Sequence, residues 1–423
     1  MIRATALILC IATLPCRSQP QPLVIRHVRV FDGRRTIASA TVVVEGGIIR
    51  SVTASPKIPP NAEIVDGEGR TLLPGLIDSH VHIAVEDANA LRKALMFGVT
   101  TQLDMFHPLP DAVHRLRQMV AAQSGAEFAD FRSAGICATV PKGHGTEYGF
   151  AIPTIQNPAE AQAFVDARIA EGSEYIKIIH AGNAQTPETS LELMRALVVA
   201  AHRRHKMALV CLHNSQEARD ALDAGADGLA HLFQAERVDP EFGRMAARRH
   251  AFVISTAGVV FSPCRPKIDA AAASDPYLAP FLTPSDVRTL NLSFPLSSPD
   301  ACGALQQEVA QLTRAGVPLL AGTDAPNPGA SYGAGLLGEL RVLVEGGLTP
   351  SQALASATSV PARIFHLSDR GLIQPGKRAD LVLVQGDPTQ DIECSRDIRD
   401  IWMAGKRVDR QALLRAVAAP PSR

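Results

Sequence analysis

From Leu23 to Val52 the apolar residues come in short alternating runs broken by turn residues. Leu23 to Val30, Ala40 to Val44 and Ile48 to Val52 are separated by Asp32-Gly33 and by Glu45-Gly46-Gly47. This period of two predicts an antiparallel meander. A matching block, Asp380 to Val384 and Ile398 to Val408, returns near the other end. Two β blocks at opposite ends of a chain predict one small β domain assembled from both termini. Between them the period changes. Apolar runs end at Ile83, Met105, Thr139, Ile179, Leu212, Leu232, Ala257 and Thr323. Helix-like stretches separate most of them: Ala88 to Phe97, Pro158 to Ala170, Leu191 to His205, Gln216 to Ala224 and Ala304 to Ala315. Eight such units predict an α/β fold, a parallel (β/α)8 TIM barrel, with its site at the C-terminal ends of the strands. The connection at 259–300 is long enough to be functional, in the manner of a lid.

Composition narrows the partners. The chain has 423 residues, 46% hydrophobic and 20% charged, which suits a large packed core and excludes global disorder. Lys plus Arg and Asp plus Glu are both 42, so no electrostatic footprint for nucleic acid or an anionic membrane exists. The N-terminus reads as an export signal, with Arg3 before the apolar run Ala4 to Leu14. That run is too short for a membrane span, which needs roughly 20 residues. Cleavage near Arg17-Ser18 and a periplasmic or secreted protein are expected, with a weaker lipoprotein option at Cys16. Of the seven cysteines, loss of Cys10 and Cys16 leaves five, too few and too odd for a disulfide scaffold. Cys264 and Cys302 flank a loop-like segment and could pair in an oxidising compartment, whereas Cys211 reads as core.

The chemistry sits at the strand ends. In Gly75-Leu76-Ile77-Asp78-Ser79-His80-Val81-His82, two histidines share one face of a strand, an arrangement that suits a divalent metal. Lys177 lies inside the apolar run Tyr175 to Ile179, where an unpaired ammonium is costly. It must be paired, deprotonated or modified. Other strands end in His213, His231 and Asp324. Taken singly, each histidine reads as a satisfied polar residue and Asp324 as a helix N-cap. Together they would need separate coincidences at five of eight strand ends. Asp104 ends the second strand and either orients a ligand or caps a loop. His144 and Tyr148, in the Gly-rich segment Lys142 to Gly149, and Tyr332, in the loop after Asp324, are candidate substrate contacts. Alternation turns His180, three residues after Lys177, to the opposite face unless the strand has ended.

The ordered set of motifs resembles the amidohydrolase superfamily. It consists of Gly-Leu-Ile-Asp-Ser-His-Val-His, Gly98-Val99-Thr100-Thr101, Ile176-Lys177-Ile178, His213, His231, Gly322-Thr323-Asp324-Ala325 and Gly371 to Leu381, and the likeness runs from about residue 23 to 408. It implies a TIM barrel with a small β-sandwich from both termini. The organisation would be a signal peptide at 1–18, β-sandwich at 19–72, catalytic barrel at 73–366, β-sandwich at 367–409 and a tail at 410–423. It also implies two divalent metal ions: His80, His82 and Asp324 on one, His213 and His231 on the other, and Lys177 carboxylated by CO2 as a bridging carbamate. Zinc is the first choice for such mixed imidazole and carboxylate ligands, ahead of manganese, iron and nickel. Metal-activated hydroxide would attack a carbonyl, with Asp324 moving the proton. The likeness is to imidazolonepropionase-like, Xaa-Pro dipeptidase-like and ochratoxinase-like members, and the segment around His144 resembles a Gly-His-Gly element of prolidase-like members, where the His helps hold a substrate carboxylate. Lys177 argues against imidazolonepropionase itself. The expected activity is hydrolysis of an amide or peptide C–N bond in a small molecule such as an N-acyl amino acid or dipeptide, by a homo-oligomer. The alternatives are a mononuclear deaminase, a lactonase, or a catalytically dead binding protein, which a missing ligand would mark; none is missing.

Overall fold

The computed structural model describes residues 21–83, 87–182, 186–233, 235, 237–264, 274–295 and 299–419. The expected signal peptide and Cys16 lie outside them. The meander forms as expected: Leu23–Phe31, Thr36–Glu45 and Ile48–Thr53 pair antiparallel. Two further strands, Glu63–Asp66 and Arg70–Pro74, run parallel to the first. Arg70–Pro74 then pairs antiparallel with Leu381–Gln385, which leads to Ile398–Met403 and Lys406–Arg407. Both terminal blocks are therefore one eight-stranded sheet, joined through Arg70–Pro74. Trp402, Val44, Ile49 and Leu383 bury themselves in its apolar core.

The middle of the chain is TIM-barrel-like. Leu76–Val81, Val99–Asp104 and Asp130–Ser133 form a parallel three-stranded sheet. Ile176–Ile179, Ala208–Cys211, Gly228–Ala230, Phe252–Ile254 and Leu319–Leu320 form a parallel five-stranded one. Backbone hydrogen bonds connect their edges. At one seam Ala138 N–H donates to Lys177 O at 2.8 Å and Ile179 N–H to Ala138 O at 2.9 Å. At the other, Ser79 N–H donates to Ala321 O at 3.0 Å and Asp324 N–H to His80 O at 2.7 Å. Gly322 permits this approach, because a Cβ there would lie 2.9 Å from the His80 backbone nitrogen. Ile77, Leu103, Tyr175, Leu209, Phe252 and Leu320 fill the interior beneath the strand ends.

The third strand departs from expectation. It stops at Ser133, not Thr139, because Gly135 at φ 63° turns the chain, which touches the next strand again only at Ala138. Helices such as Ala88–Met96, Leu191–Arg203 and Ala304–Arg314 lie within two residues of their expected ends. Residues 410–418, expected as part of a tail, are a helix: Leu413 is buried and Arg410 Nε donates to Met96 O at 2.8 Å. In the long connection, Cys264 and Cys302 are joined as a disulfide with Cα atoms 5.5 Å apart. Its helix Pro284–Leu290 is anchored by Lys93 on Asp286 at 2.8 Å and accepts Gly329 N–H at Thr289 O, 2.9 Å. Among the described residues no helix is long and apolar enough to cross a membrane.

Candidate metal centre

Strand alternation brings the two imidazoles of the first parallel strand together, Nε2 to Nε2, at 3.3 Å. Asp324 Oδ1 lies 3.3 Å from His80 Nε2 and 3.0 Å from His82 Nε2. Metal–ligand bonds of about 2.0–2.2 Å at tetrahedral angles require ligand separations of about 3.3–3.5 Å. The observed edges fit a single divalent ion. Asp324 Oδ1 is buried and forms no hydrogen bond of acceptable geometry, so its lone pair lacks a proton to face. Burial pushes the Asp324 carboxyl up, but His82, His231 and Lys177 outweigh it and hold it at about 2. Burial, followed by Lys177 and His231, holds His80 well below the usual imidazole range. At neutral pH Asp324 is thus a carboxylate and His80 a neutral nitrogen donor. Among the described residues it is the one compact set of at least three such groups.

The second set of expected ligands surrounds it more loosely. Lys177 is 2% exposed, and its Nζ lies 3.4 Å from His80 Nε2. Among the described residues no carboxylate comes within ion-pair distance of it. The His231 ring centroid is 4.7 Å from that of His80, and its Nδ1 contacts Thr256 Oγ1 at 2.8 Å. Burial pushes His231 down to about 3. His213 is reached by solvent yet walled by protein on most sides, which lowers its pKa first, with His144 next. Its ring stands 6.3 Å from that of His144. His213 and His231 remain outside the compact triad.

Carboxylates behind the site hold its backbone. Asp104 does cap a loop: Oδ1 accepts Ile83 N–H at 3.0 Å and Oδ2 accepts the Ser133 hydroxyl at 2.5 Å. Burial outweighs these bonds and raises its carboxyl to about 7. Two further supports escape a reading of the sequence. Asp78 accepts His80 N–H at 3.2 Å, and Glu217 accepts His213 N–H at 2.5 Å. Asp78 stands two residues before the His-x-His pair, which was the available signal. Tyr332 differs from expectation. It is buried, and its hydroxyl donates to His82 O at 2.6 Å, so it braces the strand of His80 and His82 instead of facing substrate.

His144, beside His213, has its ring 5.8 Å from that of Tyr148. His144 Nδ1 contacts Glu147 Oε1 at 2.5 Å, and Tyr148 stays half-exposed, 6.2 Å from Phe106. The strand has ended before His180, which is buried with Nδ1 donating to Thr189 O at 2.8 Å. Burial raises Cys137 to about 12 and Cys211 to about 11, so neither supplies a thiolate at neutral pH.

A TIM-barrel-like α/β fold with metal-competent side chains at its strand ends defines a class of hydrolases. Residues 71–408 match the amidohydrolase family, and the chain belongs to it. It is 28% identical over 413 residues to an imidazolonepropionase of Cereibacter sphaeroides, across 86% of this chain and 92% of that one. Its structure resembles a Xaa-Pro dipeptidase with bound methionine (TM-score 0.72, 21% identity, 92% and 100% of the two chains). It also resembles molinate hydrolase (TM-score 0.74, 20% identity, 96% and 98%). At these identities the structural likeness shows the fold. The chain is therefore a metal-dependent hydrolase acting on carbon–nitrogen bonds.

Proposed function

We propose that this protein is an exported binuclear hydrolase of amide or peptide C–N bonds, built on a closed (β/α)8 barrel with a β-sandwich shared by both termini. The observation that carries the reading is Lys177: a lysine 2% exposed, beside an imidazole, with no carboxylate within ion-pair distance among the described residues. A carbamate on Nζ would turn this cation into an anionic ligand shared by two metals. His80, His82 and Asp324 would hold one ion, and His213 and His231 the other, with zinc the first choice. When bound, such ions polarise a carbonyl and make a water acidic enough to attack it at neutral pH. Asp324, ionised and buried, would accept the proton of that water and deliver it to the leaving amine.

The mouth supports a substrate with an apolar group beside the scissile bond. Ile179 and Cys211 lie two residues beyond Lys177 and two before His213, and with Cys137 they form an apolar floor. Phe106 and Ile152 pack against it. An apolar N-acyl amino acid or dipeptide suits this lining, with His144 and Tyr148 as its polar contacts. The Cys264–Cys302 disulfide and the apolar run after Arg3 support export.

Metal content of protein purified without chelator, beside a screen of N-acyl amino acids and dipeptides, tests this reading. About two ions per chain with amide cleavage supports it. Lys177→Ala should then abolish activity, with partial rescue by short carboxylates, and unchanged activity would remove the carbamate bridge. The compact triad favours one alternative, a mononuclear deaminase. One ion per chain and release of ammonia would establish that instead.

A further inference from the structure

Thr256 follows the seventh parallel strand with φ 43°, in the left-handed region where a β-branched residue is strained. Such a conformation persists only if its surroundings enforce it. Glu339 does so. It belongs to the helix Ala334–Glu345, is 1% exposed, and shares the buried stripe of Leu336, Leu340 and Leu343. Its Oε1 accepts the Ser255 hydroxyl and Ala257 N–H, the latter at 3.0 Å. Its Oε2 accepts Gly258 N–H at 2.6 Å. One carboxylate thus grips the turn on both sides of Thr256.

The gripped turn aims Thr256 Oγ1 at His231 Nδ1, 2.8 Å away. His231 needs an external guide, because its own backbone has left the strand geometry at φ 111°. With Nδ1 engaged by the hydroxyl, Nε2 is the nitrogen left to meet a metal. We propose that Glu339 is a positioning residue for the second metal ion, acting through Thr256 on the His231 ring. This rests on the reading of His231 as a ligand.

Zinc titration into the chelator-stripped full-length protein tests it, with thermal unfolding of the metal-free forms measured alongside. Thr256→Val keeps the shape and removes the hydroxyl. It should weaken the second equivalent about 10–100-fold and leave the first unchanged, with metal-free melting lowered only by the loss of one buried hydrogen bond. Thr256→Ser should restore the second equivalent. Glu339→Gln should weaken that same equivalent. If Thr256→Val binds both equivalents like wild type while His231→Ala loses the second, the positioning role is wrong and the ligand reading stands. If His231→Ala retains both equivalents, the ligand reading fails and the proposal falls with it.

Discussion

Asp78 holds Thr323 across 245 residues of chain: its Oδ1 accepts Thr323 N–H at 3.0 Å and its Oδ2 accepts the hydroxyl at 2.7 Å. Oδ1 also accepts His80 N–H at 3.2 Å. One carboxylate therefore spans the strand that carries His80 and the segment that carries Asp324. Asp78→Ala should leave these buried donors unpaired, at about 1–3 kcal/mol each. It should also weaken zinc binding about 10–100-fold, by analogy with other groups that orient ligands. Denaturant unfolding and competition with a chromogenic chelator check both effects. Lost stability with wild-type zinc affinity would reduce Asp78 to a stitch between strands.

Asp324→Asn preserves the shape of the triad but removes its charge and its capacity as a base. Some metal should remain bound, while turnover falls by about 10²–10⁴. Metal analysis beside steady-state rates separates the two effects. Wild-type rates would end the proton-transfer role.

Asp130 offers a test through pH. Its Oδ2 accepts from Arg370 and from Arg378, each at 2.6 Å, which ties the third parallel strand to the segment before Leu381. Burial raises its carboxyl, but Arg378 and Arg370 outweigh that and hold it below the ordinary 3.8. A depressed folded pKa adds stability above the unfolded pKa and loses it as pH falls through the folded value. Asp130→Asn should therefore destabilise by about 3 kcal/mol at most, since the side chain keeps 22% exposure. That difference should stay constant above about pH 5 and shrink on further acidification. Unfolding curves from pH 7 to pH 3 check it, and a difference that grows in acid would contradict it.

The disulfide closes a separation of 38 residues around the helix Pro284–Leu290. Replacing Cys264 and Cys302 with serine should cost about 2–4 kcal/mol. Hydrogen exchange should rise first in residues 274–295, whose contact at Gly329 adjoins the loop after Asp324. Uniform exchange across the barrel would show instead that the crosslink stabilises the whole fold.

The metal-competent strand ends were legible because each carries its signal in one residue type at one place in the period. His80, His82 and Asp324 needed only alternation and strand order to meet. Strand boundaries were less legible. The third strand shows why: Ala134 to Thr139 is apolar enough to continue it, and a single positive φ at Gly135 ends it. Tyr332 was misjudged because a tyrosine in a loop gives no hint that a carbonyl waits for its hydroxyl. Glu339 left a trace that could have been read. It sits three residues after Leu336 and one before Leu340, an acid inside an apolar helical stripe, where burial demands partners. Which backbone groups those partners are depends on the packing of a turn eighty residues away, and no local pattern encodes it.

Arg70–Pro74 finds its second neighbour only in Leu381–Gln385. During synthesis this has a consequence in time. Until the later strand leaves the ribosome, a strand with three buried apolar residues stands as an open edge, free to pair with whatever approaches. A chain truncated before residue 381 would carry every metal-competent residue named above and still expose that edge. Nascent chains of increasing length should therefore gain protease resistance late, in a single step as residues 381–385 become available.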